Sequence, residues 1–390
     1  MKLFALTQVP LGGPRAHAIN VIKTAGGFAR LGFEVTLLSP PPEDGRDAGE
    51  VLAEHAEPGL RAVHCDERES KSPERFASWA REIATSNDAS MVYARHFHGG
   101  IACAEAGLAS VVETHAYIGD TNPILQATFS ATRHPDTPLR LISTISQRLR
   151  AHYIERGADP ARVAVVPDGV DIEQFGRPSN TGPCPLPDLA PGPDAPRVVY
   201  CGHLYDWKGI PAIIDAARLR PGLAFHLVGG LPEDIDQTRS QAAGLGNVSV
   251  PGRVAYREVP PRLWHADVLL LVPGATEPSK DWTSPVKLGE YLASSTPIVA
   301  SNIPALRDWL NDEHADWCEP DDPASLAEAI DRALKTGRDP ERVRARTALA
   351  ERLSYPSRAA AMCRGAGVKI PAEAGRSLSG AGALSPMSRV

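Results

Sequence analysis

Ser284-Pro285-Val286-Lys287-Leu288-Gly289-Glu290-Tyr291-Leu292-Ala293 stands between two short apolar runs, residues 268–272 and 297–300. A helix between two buried strands is the arrangement this pattern favours, and it implies a parallel α/β sheet. Ser284 at the cap and Pro285 at the first helical position leave backbone N–H groups unpaired at the helix start, where the helix dipole also favours an anion. Phosphate suits such a place. Glu290 follows Lys287 by three residues, so a carboxylate able to accept two sugar hydroxyls shares about one helix face with an ammonium suited to phosphate. The stretch points to a nucleotide-sugar site. Taken alone, the two residues read first as a surface ion pair worth a few tenths of a kcal/mol.

Outward from this stretch the same alternation recurs. Strand-like runs at 3–7, 34–38, 89–93, 110–113, 141–145 and 163–166, with a helical region at 19–31, predict a first parallel sheet. Residues 176–196 then hold seven prolines, from Pro178 to Pro196, which suits an extended linker. Beyond it, runs at 197–201, 224–228, 248–250, 268–272 and 298–300, with helices at 210–219 and 326–334, predict a second sheet. Single cores stop growing at roughly 250–300 residues, and the chain has 390. The expected fold class is therefore α/β, with two Rossmann-like domains. Their expected bounds are 1–175 and 197–350, joined by the linker at 176–196, with a helical segment at 351–367 and a flexible tail at 368–390.

Composition excludes several function classes. A formal net charge of -6 argues against a nucleic-acid partner, and the arginines at 133, 140, 148 and 150 read as a solvated helix face. With 43% hydrophobic and 23% charged residues the chain is that of an ordinary soluble protein, and no run reaches the ~18 apolar residues of a membrane span. The N-terminal apolar run reads as a first strand rather than a signal peptide, so the cytoplasm is the expected location, with peripheral membrane contact left open. The six cysteines form no C-x-x-C pair and no cluster with histidine at zinc spacing, so neither a metal nor a disulfide is expected. Cys103 and Cys201 read as small buried hydrophobes.

Open parallel sheets bind ligands beyond the carboxyl ends of their strands, which directs attention to four loops. After 197–201 come Gly202, His203 and Lys208, where Gly202 allows close backbone approach and Lys208 offers a cation to a diphosphate. Gly12 and Gly13, with His17, follow the first strand; His115 falls just past the strand at 110–113. The segment 165–175 reads as a strand and tight turn with an architectural role.

These pieces together resemble the retaining glycosyltransferases of family 4, which have the two-domain GT-B fold. The resemblance rests on the Gly12-Gly13 loop, Glu113-Thr114-His115, residues 142–146, Val166-Pro167-Asp168-Gly169-Val170-Asp171 with Phe175, Gly202 through Lys208-Gly209, and Ser284 through Ala293 with residues 297–300. Residues 354–359 resemble the family's C-terminal helix, which crosses back to the first domain. The resemblance implies parallel sheets facing a cleft, with the donor nucleotide held mainly by the second domain and the acceptor by the first. It implies Glu290 on the ribose, Lys208 on the diphosphate, Arg253 and Val254 at the base, and His115 at the donor sugar. Ser284, Pro285, Val286 and Lys287 complete the expected donor site with Gly202 and His203, while Gly12, Gly13 and His17 lie toward the acceptor or transferred group. It also implies metal-independent chemistry with no cofactor beyond a UDP- or GDP-linked sugar co-substrate, and a glycan, lipid-linked or small-molecule acceptor. Two positions depart from the pattern: His203 stands where the family often has Arg, and Trp282 where it has a first Glu. They keep open an inactive nucleotide-sugar-binding homologue, beside an epimerase or hydrolase that consumes the donor alone.

Overall fold

The computed structural model describes residues 1–12, 16–42, 45–57, 59–117, 119, 121–275 and 286–371. It divides into two compact units, Met1–Gly169 together with the chain from Arg352 on, and Val170–Glu351.

Seven strands form the first unit's sheet among the described residues: β1 (Lys2–Leu6), β2 (Glu34–Ser39), β3 (Arg61–His64), β4 (Met91–Ala94), β5 (Ser110–Thr114), β6 (Leu139–Thr144) and β7 (Val163–Val165). Their order is β3-β2-β1-β4-β5-β6-β7, and every pair is parallel. All residues of β4 and β5 are buried, as expected where helices cover both faces of a parallel sheet. The order reverses between β1 and β4, which opens a crevice at their carboxyl ends.

The chain returns to this unit through the helix Tyr355–Ala366, which packs on the helix Ala16–Arg30. Ser354 caps it, its hydroxyl accepting from the Ser357 N–H at 3.3 Å, and Gly367 ends it at φ +66°. Gly27 permits the close approach, since a Cβ there would lie 2.5 Å from the Tyr355 carbonyl oxygen. Ala359, Ala360, Met362 and Cys363 join Val21, Ile22, Ala25 and Phe28 in one core. Burying a large apolar side chain such as Met362 contributes about 1.5–3 kcal/mol, so the last helix is an integral part of the unit.

In the second unit the described residues form β8 (Arg197–Cys201), β9 (Ala224–Val228), β10 (Val248–Gly252), β11 (Val268–Leu271), β12 (Ile298–Ser301) and β13 (Ala315–Cys318). The order β10-β9-β8-β11-β12-β13 is again parallel, with its reversal between β8 and β11. The helices Ile210–Leu219 and Pro323–Thr336 pack their apolar faces on this sheet.

The units divide at Gly169, six residues before the bound expected at 175. Phe175 is the reason: its ring is fully buried 5.5 Å from the Tyr256 ring, and its carbonyl accepts from Trp264 Nε1 at 2.9 Å. The proline-rich segment 176–196 contains neither helix nor strand, and it is pinned along the second unit. Ala190 N donates to the Gly246 carbonyl at 3.0 Å, and Arg177 Nη1 donates to the Trp264 carbonyl. The tail expected at 368–390 falls outside the described residues from 372 on. Among the described residues no helix is long and apolar enough to cross a membrane.

Candidate active site

In the second unit the site begins where β8 ends. Gly202 has φ +148°, a conformation open to glycine, and a Cβ on it would lie 2.6 Å from Lys287 Nζ. Lys287 is the second residue of the helix Val286–Ser294, and its ammonium sits 3.9 Å from the centroid of the Tyr200 ring. The helix is stapled to β8 by Tyr291, whose hydroxyl accepts from Cys201 N–H at 3.0 Å. This bond fixes the neighbouring Glu290 as well. Glu290 is 8% exposed, and its Oε1 accepts from the Tyr256 hydroxyl at 3.3 Å. Lys287 and Glu290 thus turn to different partners instead of forming the surface ion pair that their spacing allows.

Lys208 ends the short helix Asp206–Lys208, its ammonium 3.8 Å from the Trp207 ring centroid. Neither Lys208 nor Lys287 forms an ion pair among the described residues; Lys287 lies against the Gly202 turn, and Lys208 is near enough for its charge to act on Lys287. Burial, and then the charge of Lys208, pushes Lys287 down to about 7; burial pushes Lys208 down to about 8. Burial raises Glu290 to about 7. His203, lowered first by burial and then by Lys287, stacks on Tyr205 with centroids 5.0 Å apart, and Tyr205 stacks on Trp207 at 5.8 Å. Arg253 and Val254 follow β10 at the same sheet edge, with Arg253 exposed. Ser284, Pro285 and Trp282 lie outside the described residues, as does the side chain of Val286.

In the first unit His115 lies just past β5, with a side chain 20% exposed. Its Nε2 is 2.5 Å from Glu113 Oε1 and 3.5 Å from Asp168 Oδ1. Glu113 is fully buried; its Oε2 accepts from the Tyr93 hydroxyl at 2.7 Å and from Arg358 Nη2 at 2.5 Å, and Arg95 Nε lies 3.7 Å from Oε1. Burial alone would raise this carboxyl, but Arg358 foremost, then His115 and Arg95, hold it well below the usual carboxylate range. Asn20 donates its amide to Asp168. Gly12 has φ +80°, and its carbonyl accepts from Arg46 Nη2 at 3.4 Å; His17 Nε2 is 3.2 Å from Thr7 Oγ1. Gly13 lies outside the described residues.

The turn expected to be architectural therefore places Asp168 beside His115. Glu113, His115 and Asp168 each bring one potential ligand atom within 4.8 Å of the others, a grouping hidden in the sequence by the 52 residues between His115 and Asp168. Both Glu113 oxygens are already engaged by Tyr93, Arg358 and His115, so the group is built as a hydrogen-bonded network in which a cation would compete with a guanidinium. Sequence reading met Arg358 only as part of the returning C-terminal helix, with no role at the site, and gave none to Arg95, Tyr93 or Asn20. All six cysteines are free, and burial raises both Cys103 and Cys201 to about 12, far from thiolate reactivity.

Comparison with known proteins places both units. Residues 18–174 match the pattern described as Glycosyltransferase Family 4, and residues 195–336 match that described as Glycosyl transferases group 1. A D-inositol 3-phosphate glycosyltransferase of Geodermatophilus obscurus is 29% identical over 211 residues, which are 49% of this chain and 44% of the relative. The chain thus spans less than half the length of that curated relative. Among solved structures, a glycosyltransferase from Rickettsia africae superposes with a TM-score of 0.70 at 15% identity, covering 92% of this chain and 96% of its own. HepE of Anabaena, in complex with UDP-glucose, superposes with a TM-score of 0.69 at 18% identity, covering 93% and 98%. These likenesses give the GT-B fold, two parallel-sheet α/β domains, as expected. With that fold in place and both units matched, the chain belongs to the group 1 glycosyltransferases of family 4.

Proposed function

We propose that this chain transfers a sugar from a UDP- or GDP-linked donor to an acceptor hydroxyl, with retention of configuration and without a metal. The observation that carries the reading is Lys287 against Gly202, with Lys208 acting on it electrostatically, neither in an ion pair among the described residues, and Glu290 one helical turn from Lys287. Lys208 and Lys287 meet the diphosphate, Gly202 lets it approach the backbone, Glu290 accepts the ribose hydroxyls, and Arg253 and Val254 flank the base. His115 is assigned to the transferred sugar, and Gly12 and His17 to the acceptor side. The acceptor oxygen attacks the anomeric carbon on the face that the diphosphate leaves. The bond to the phosphate oxygen breaks with its electron pair, and the acceptor's proton passes to the departing phosphate. The two ammonium groups stabilise the charge that develops there. The solved relative holding UDP-glucose supports a nucleotide-sugar donor.

The test is incubation of the full chain with UDP- and GDP-sugars, with and without acceptors, in chelator. Glycosylated product with the donor's anomeric configuration is expected. Sugar released from donor alone, with no transfer to any acceptor, would turn the reading to hydrolysis.

The lysines also give a pH signature. The folded site holds them at about 7 and about 8, while a bound diphosphate draws both back to the charged form. Nucleotide binding above these values therefore takes up protons, and affinity falls as pH rises. Between pH 7 and 9 the Kd for UDP or GDP should rise at least ~10-fold. Calorimetry in buffers of different ionisation enthalpy should show the uptake directly; a pH-independent Kd would refute the assignment of both lysines.

A further inference from the structure

We propose that Arg358, on the last described helix, is a positioning residue that sets His115 through Glu113; this rests on the assignment of His115 to the transferred sugar. The Arg358 side chain is 1% exposed, and its three nitrogens reach three different segments. Nη2 donates to Glu113 Oε2 at 2.5 Å, Nη1 to Thr24 Oγ1 at 2.9 Å, and Nε to the Pro167 carbonyl at 2.8 Å. A guanidinium can do this because its donors form a rigid planar fork, and an ammonium cannot.

Two of those contacts converge on the imidazole. Through Glu113, Arg358 keeps a fully buried carboxylate ionised and therefore acceptor-only, so the Glu113 oxygen at 2.5 Å requires the proton on His115 Nε2. That fixes the tautomer and leaves Nδ1 as the ring atom that can meet a ligand. Through the Pro167 carbonyl, the same guanidinium holds the residue before Asp168, the second carboxylate near Nε2 at 3.5 Å. Tyr93 adds a third bond to Glu113 but carries no charge that could keep it ionised. Arg95 is charged but lies 3.7 Å from Glu113 Oε1, beyond a short hydrogen bond. Arg358 is thus the charged group that binds Glu113 at hydrogen-bond distance from outside the His115 loop.

Two measurements decide the proposal. In the full chain labelled with 15N-histidine, the resonances lost in His115→Ala identify that ring. In wild type they should carry the Nε2-protonated pattern. Arg358→Met should shift that pattern, and Arg358→Lys should restore it only in part. With a donor and acceptor established by product analysis, Arg358→Met should lower kcat at least ~10-fold with donor KM unchanged within twofold. In a His115→Ala background the same substitution should change kcat by less than twofold. Thr24→Val, which removes one Arg358 partner at nearly constant volume, supplies a milder form of both measurements if Arg358→Met does not fold. An unshifted His115 pattern, or an equal loss of kcat in both backgrounds, overturns the proposal. The ring pattern is read without substrate, so it stands or falls separately from the transferase reading.

Discussion

Lys287→Ala and Lys208→Ala should each lower kcat for sugar transfer about 10²–10³-fold, roughly 3–4 kcal/mol of barrier, with smaller effects on donor KM. The size follows from where charge appears. As the anomeric bond breaks, the leaving diphosphate gains a full negative charge, and donors fixed in advance at that point stabilise the transition state more than the bound donor. Both ammonium groups are prearranged: one is held on the Tyr200 ring against Gly202, the other on Trp207. Neither is neutralised by a carboxylate among the described residues. The family's usual Arg is here His203, which burial and Lys287 disfavour as a cation, so the charge rests on the two lysines. Lys287→Arg should not rescue, because the guanidinium is bulkier than the space between Gly202 and the Tyr200 ring. Steady-state rates with one confirmed donor decide this; wild-type turnover in both alanine variants would remove the lysines from the chemistry.

The second large effect concerns stability. Glu113→Gln should cost about 3–5 kcal/mol in urea unfolding, because it leaves Arg358 buried without its counter-ion. The loss exceeds that of an ordinary hydrogen bond, since Arg95 and His115 also face this carboxylate. A pH dependence follows from the same pairing. Glu113 is depressed in the folded chain, so its contribution is complete above the unfolded value near ~4.3 and is lost as pH falls through the lower folded value. Wild type should therefore lose stability on acidification below about pH 5, and Glu113→Gln should show a shallower loss. Equal stability of the two proteins at pH 7 would mean that the network carries no net energy.

Much of the architecture was readable because its strands are short apolar runs between turns. β8 and β9 were expected at the bounds they have, since their inner residues are buried on both faces and, His226 apart, apolar. β3 and β13 escaped notice. Arg61-Ala62-Val63-His64 is an exposed-to-half-buried edge strand, and Ala315-Asp316-Trp317-Cys318 is an edge strand interrupted by a charged Asp, so neither shows the continuous run of a central strand. In the second unit the site was legible because its cations and carboxylate lie within single loops and one helix. The first unit's network was not. Arg358 stands 245 residues from Glu113 and looks like an ordinary helical arginine among alanines; only packing shows that its face is inward. Asp168 likewise reads as a turn residue until β5 and the loop after β7 bring it beside His115.

The return of the helix Tyr355–Ala366 has a consequence for biosynthesis. Residues 1–169 leave the ribosome with their most deeply set carboxylate lacking the guanidinium that balances it, and with the groove beside Phe28 still unfilled. The later-made unit is continuous in the chain and can condense first, reversing the usual order in which nascent domains mature. A polypeptide interrupted before codon 355 would keep Lys208, Lys287 and Glu290, yet Glu113 of the other half would lack the guanidinium that balances it, so such a product is expected to fold less stably than the whole chain.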